Sequence, residues 1–168
     1  MSLATAACRM LAPLFPMAAL ILLAGGCGGG QPVPLAALNR ALEQDSSSRE
    51  PSLSGRWLAV ISARQGRERV QLVDVDRGVQ LPLPGLNRPD AQPLSVSVDV
   101  AGERLAVVRQ LQGRTELVLY QRSLGSVRLL PITPAGVPRR VHLRADGRQL
   151  AVEVSRNGVW QIDLISLP

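Results

Sequence analysis

Gly55-Arg56-Trp57-Leu58-Ala59-Val60 returns as Gly102-Glu103-Arg104-Leu105-Ala106-Val107, and again as Gly147-Arg148-Gln149-Leu150-Ala151-Val152. A second glycine follows each copy at a fixed distance, at Gly66, Gly113 and Gly158. The copies are offset by 47 and then 45 residues. Self-similarity at such a period marks an array of equal supersecondary units, each unable to bury its apolar face alone.

The chemistry of one unit predicts a β-meander. In the third, Arg139 to Leu143 is a short extended run, and Ala145-Asp146-Gly147-Arg148 supplies residues that tolerate positive φ in a tight turn. Leu150 to Val154 is the next strand, Asn157-Gly158 turns it back, and Trp160 to Ile165 is the third. The second unit runs Leu94–Val98, Arg104–Arg109 and Glu116–Tyr120; the first gives Trp57–Ser62 and Arg69–Val75. Val79–Pro82 and Val127–Pro131 read as outer strands ended by proline, making about four strands per unit. The Leu-Ala-Val core is apolar on both faces, so it needs cover on both sides, and its alanine suits a close approach of neighbouring sheets.

These residues resemble the TolB-type, WD-like β-propeller repeat of bacterial envelope proteins. Asp146-Gly147-Arg148-Gln149-Leu150-Ala151 and Asn157-Gly158-Val159-Trp160-Gln161-Ile162 carry the pattern well, whereas Val100-Ala101-Gly102 and Leu53-Ser54-Gly55 lack the aspartate. The fold expected is therefore all-β: three four-stranded antiparallel propeller-like blades after a signal peptide and one short helix. Three copies, the last ending after its third strand, fall short of the four to eight blades of a closed ring. An open blade array, an irregular sandwich, and a homodimer in which two chains complete one six-bladed ring are the arrangements left. The resemblance implies a non-catalytic protein-interaction module, and is more specific for fold than for task.

The chain start reads as an address. Arg9 precedes an apolar stretch, Met10 to Ala24, too short and proline-interrupted for a good membrane span. Leu23-Ala24-Gly25-Gly26-Cys27 resembles the bacterial lipobox, which implies lipidation of Cys27 after removal of residues 1–26. Several acyl chains make a durable membrane anchor. Gly28 beside that cysteine points to the outer membrane, with the body facing the periplasm. Gly28-Gly29-Gly30 is a tether, Pro34 to Gln44 a short helix with Leu35, Leu38 and Leu42 on one stripe, and Asp45 to Arg49 a second linker. Residues 27–50 thus form the anchor, tether and helix, and 51–168 the three-repeat domain.

All 19 basic residues are arginine, set against 13 acids. From Cys27 onward, 18 arginines leave a balance of +5. Trp57, Tyr120 and Trp160 are the only aromatics there and all fall in strands, which argues against nucleic acid. Arg139, Arg140, Arg144 and Arg148 crowd the entry to the third repeat. Such charges discourage edge-to-edge strand pairing, and they are also the best candidate binding patch. The alternative function they suggest is an envelope polysaccharide- or peptidoglycan-binding module. On a regular strand Arg140 and Arg144 share one face and Arg139 takes the other.

No enzyme is expected. His142 is the sole histidine, Ser95 and Ser97 lack an elbow motif, and no carboxylate pair has the spacing of a hydrolase dyad. Asp74 and Asp76 alone do not make a metal site, and no cofactor is implied.

Overall fold

A computed structural model describes residues 31–45 and 47–168. The signal peptide, Cys27 and the Gly28–Gly30 tether lie outside the described residues. One helix, α1 (Ala36–Glu43), precedes eleven strands. The first sheet holds β1 (Ser47–Ser54), β2 (Trp57–Arg64), β3 (Arg67–Asp74) and β4 (Val79–Leu81). The second holds β5 (Ala91–Val98), β6 (Arg104–Leu111), β7 (Arg114–Gln121) and β8 (Ser126–Leu130). The third has three strands, β9 (Val137–Leu143), β10 (Gln149–Arg156) and β11 (Val159–Ser166). Every pairing is antiparallel and sequential, so each repeat is one meander.

The hairpin between the middle and third strands has the same geometry in all three units. Gln65-Gly66, Gln112-Gly113 and Asn157-Gly158 each place both loop residues at positive φ, between 50° and 79°. That is the two-residue turn whose twist matches paired strands. Register therefore repeats: Ala59 faces Leu72, Ala106 faces Leu119, and Ala151 faces Leu164.

Two apolar layers join the three sheets. Trp57, Ala59, Ile61, Val70 and Leu72 of the first sheet meet Val96, Val98, Leu105, Val107, Val118 and Tyr120 of the second. The opposite face of the second sheet, with Ala106, Val108, Leu117 and Leu119, meets Val141, Leu143, Leu150, Val152 and Val154 of the third. Leu105 to Val108 are buried on both faces, as the Leu-Ala-Val phrase predicts. In the third sheet Ala151 is half-exposed because no sheet among the described residues packs on that face.

The inner strands β1, β5 and β9 are sheet edges, and an edge leaves backbone donors unpaired. Serines on the preceding sheet accept some of them. The Val98 amide donates to Ser52 Oγ at 3.2 Å, Leu143 to Ser97 Oγ at 2.8 Å, and Val141 to Ser95 Oγ at 3.3 Å.

Two expectations change near the first sheet. Residues 47–49, read as linker, form the start of β1, with Ser47 paired to Ala63 and Arg49 to Ile61. The strand is an edge with little buried surface, so it lacks the apolar alternation that marks β2 and β3. The helix spans Ala36–Glu43, and Leu35, expected on its apolar stripe, is its exposed N-cap residue. Leu38 and Leu42 are half-buried. Just beyond the helix, Asp45 accepts a hydrogen bond from Gln71 Nε2 at 2.7 Å and lies 4.0 Å from the Arg69 guanidinium. These contacts hold the end of the helical segment to the first sheet's outward face, where Val60 and Val73 are buried.

Candidate binding face and axial cleft

The inner strands converge on a cleft of about 430 Å³, lined by Glu50, Ser52, Ser97, Arg140, His142 and Glu153 among others. Irregularities in β1 and β9 shape it. In β1 a bulge between Arg49 and Ser52 accommodates Pro51, and Glu50 takes φ 53°. In β9 the pairing skips from Glu153↔Arg140 to Val154↔Pro138, leaving Arg139 as the extra residue.

That bulge corrects the expected placement of the arginines. Arg139 and Arg140 both lie on the outer face of the third sheet. The Arg139 guanidinium stands 5.2 Å from the Trp160 ring centroid, while Arg140 lines the cleft beside Glu153. A bulge puts two successive side chains opposite one partner, which strict alternation cannot anticipate. Arg144 and Arg148 sit apart, in the β9–β10 turn region. Arg144 pairs with Asp146 at 3.3 Å and donates to Gln149 Oε1 at 3.0 Å, and the Arg148 amide donates to Asp146 Oδ1. The structure thus brings Arg139 and Arg140 together on one face and holds Arg144 and Arg148 in a local turn network.

His142, opposite Ala151 on β9, is exposed on the same outer face. The cleft hydroxyls are engaged: Ser52 and Ser97 accept backbone amides and lie 3.3 Å from each other. Among the described residues no three His, Cys, Asp or Glu side chains are grouped to hold a metal. No helix among them is long and apolar enough to cross a membrane. The cleft presents mixed charge and backbone-bound hydroxyls, a surface chemistry suited to binding.

The larger exposed feature is apolar. Trp160, Ile162 and Leu164 project from β11 at 48, 66 and 82 % exposure. Paired with Ser155, Glu153 and Ala151, they share the outer face of the third sheet with Arg139, Arg140 and His142. The sequence places Trp160 to Ile165 in a strand but does not mark that strand as an exposed face. The signal was present in the repeat register, since Ile162 and Leu164 stand where Val70 and Leu72, or Leu117 and Leu119, stand in the other units.

Ion pairs brace the edges of the array. Arg49 grips Glu68 through two hydrogen bonds of 2.9 and 2.8 Å, and donates to the carbonyls of Pro93 and Leu94 in the next sheet. The hydrogen bonds from Arg49 hold the Glu68 carboxyl below its ordinary range, and those to Glu68 raise Arg49. Arg156 does the same to Asp163 on the inner face of the third sheet. Tyr120, desolvated by burial, is pushed up, and its hydroxyl donates to the Pro84 carbonyl at 3.0 Å.

No protein-family model matches the sequence, and no curated protein does. Solved structures do match the fold. TolB from Acinetobacter baumannii superposes with a TM-score of 0.55 at 18% identity, over 70% of this chain and 29% of that one. A TolB-designated protein from Agrobacterium tumefaciens superposes with a TM-score of 0.61 at 13% identity, over 75% of this chain and 48% of that one. The chain spans less than half the length of either. Three meanders in sequential face-to-face contact, alike in register and hairpin geometry, make this chain an array of β-propeller blades, the fold it shares with these TolB structures.

Proposed function

We propose that this chain is a non-catalytic protein-interaction module of the bacterial cell envelope, tethered by lipid on Cys27 with its blades facing the periplasm. The observation that carries the reading is the outer face of the third sheet. Trp160, Ile162 and Leu164 there expose a contiguous apolar surface flanked by Arg139 and Arg140. An exposed apolar patch rimmed by charge is characteristic of a protein-binding site. The TolB-like fold supports the interaction role, and Leu23–Cys27 supports the anchor, with the outer membrane favoured by Gly28.

A photo-crosslinking residue at position 162 in intact cells tests it. Discrete protein adducts are expected; their absence, with the chain folded and exported, overturns the interaction role. Replacing Cys27 by serine should abolish lipid labelling and membrane fractionation. A Cys27→Ser chain that still carries lipid refutes the anchor.

The arginine pair favours one second reading, an envelope polysaccharide- or peptidoglycan-binding surface. It predicts salt-sensitive retention on the polymer, lost when Arg139 and Arg140 are reversed to glutamate. Retention indifferent to salt removes it.

A further inference from the structure

We infer that the open face of the third sheet receives the first sheet of a second copy of this chain, head to tail. This rests on the interaction reading above and names its partner. The two interfaces within the chain show what such a face is built to seat. On the first sheet the seating residues are Ala59, Ile61, Val70 and Leu72; on the second they are Ala106, Val108, Leu117 and Leu119. Ladder register puts Ala151, Glu153, Ile162 and Leu164 at the same positions of the third. Three of these four keep the apolar character that is buried in both internal interfaces, yet Ile162 and Leu164 are 66 and 82 % exposed.

The polar contacts repeat as well. Ser52 and Ser97, each accepting an amide from the next sheet, face Ala59 and Ala106; His142 faces Ala151 and offers an imidazole nitrogen in the same place. Arg49, opposite Ile61, donates to the carbonyls of Pro93 and Leu94 at the bulge of the following inner strand. Arg140 stands opposite Glu153, the position equivalent to Ile61. The third sheet therefore carries an arginine and a side-chain acceptor where the first sheet uses them to hold its successor.

The same chain carries the complementary half. Leu53, Leu58, Val60 and Val73 occupy the first-sheet positions of Val98, Leu105, Val107 and Tyr120, the residues that seat against a preceding sheet. Leu53 is 67 % exposed. Glu50 lies in the β1 bulge opposite Val60, one step along from the place of the β5 bulge that Arg49 reaches, which falls between the partners of Val108 and Arg109. On docking, Arg140 of one copy would reach the Ser48–Arg49 backbone of the other, with Glu50 the next residue along. The segment that ends at Asp45, which accepts from Gln71 opposite Val60, is the competitor for that face. Helix α1 buries none of its residues fully, and Asp45 just beyond it fastens the segment through Gln71. A head-to-tail contact between identical chains closes only at a definite rotation, and two sets of three sheets reach the six that a closed ring allows.

Sedimentation equilibrium on residues 31–168 decides the matter, since every strand and both apolar clusters lie within them. A concentration-dependent dimer is expected. Leu164→Arg and Leu53→Arg, both at exposed sites, should each weaken it at least tenfold while leaving the melting curve of the dilute monomer unchanged. Asp45→Ala, which frees Gln71, should tighten it severalfold. A monomer at about 100 μM, a concentration well above the micromolar range of weak specific complexes, overturns the inference. So does a dimer insensitive to Leu53→Arg, which would mean that two third sheets meet each other. A monomer whose position 162 still crosslinks to a different protein would sink the second copy as occupant and leave the interaction role standing.

Discussion

Trp57 lies against Gly102, the turn glycine of the next repeat, so closely that a Cβ added at Gly102 would stand 2.5 Å from two ring carbons. The guanidiniums of Arg56 and Arg122 sit 4.7 and 5.6 Å from the ring centroid, and Arg122 Nε donates to the Gly102 carbonyl at 2.7 Å. At the following junction Arg104 takes the place of Trp57, with Nη1 donating to the Gly147 carbonyl at 2.9 Å. The third letter of the repeated phrase, which differs in every copy, is thus the residue that reaches the next glycine.

Two glycine substitutions separate backbone strain from this contact. Gly113 has φ 76° with nothing within 4 Å of an added Cβ, so Gly113→Ala should cost only the left-handed penalty of about 1 kcal/mol. Gly102, at φ 64°, adds the collision with Trp57. Gly102→Ala should destabilise by about 3 kcal/mol, as overpacking and strain combine. Urea denaturation of the two variants measures the difference. Equal losses would show that the Trp57 contact yields freely.

The repeat made most of the architecture legible. Glycine turns and the Leu-Ala-Val strands mark β2, β3, β6, β7 and β10, because each pairs with a strand on both sides and is largely buried; β11 is legible by its repeat register, although it is an exposed edge. The start of β1 was hidden because an edge strand needs only backbone pairing on one side, and Ser47-Ser48-Arg49 looks like a linker. The binding face was half visible. Arg139 and Arg140 drew attention by charge, but their shared face depends on a bulge that alternation does not encode. Ile162 and Leu164 looked like ordinary core residues, because sequence alone does not show which sheet lacks a neighbour.

The serines of the inner strands make a second pair of predictions. Ser97 Oγ accepts the Leu143 amide at 2.8 Å in a buried setting. Ser97→Ala leaves that donor without a partner, an expected loss of about 2 kcal/mol. Ser62 Oγ is equally buried and has no hydrogen-bond partner among the described residues. Ser62→Ala should therefore be neutral or stabilising by about 1 kcal/mol, since an unsatisfied hydroxyl leaves the interior. Melting temperatures of both variants check this; a Ser97→Ala chain as stable as the parent would remove the inter-sheet serine contacts from the account of edge pairing.

Acid should loosen the first junction through Glu68. Its carboxyl is held low by the hydrogen bonds from Arg49, so the folded state binds its proton more weakly than the unfolded chain does. A group depressed in this way contributes stability above its unfolded value, and the contribution fades as pH falls toward the folded value. With the unfolded value near 4.3, the loss should begin below that pH and follow protonation of the pair. Glu68 is part-buried, so its contribution is modest, about 1 kcal/mol after solvent screening. Glu68→Gln keeps the shape and removes the charge. Its melting temperature should lie below the parent's at pH 7, and the gap should narrow as acid protonates the parent. A gap that stayed constant from pH 7 to pH 3 would mean that the Arg49–Glu68 pair contributes packing alone. Arg49 would then hold the Pro93 and Leu94 carbonyls without electrostatic help from its partner.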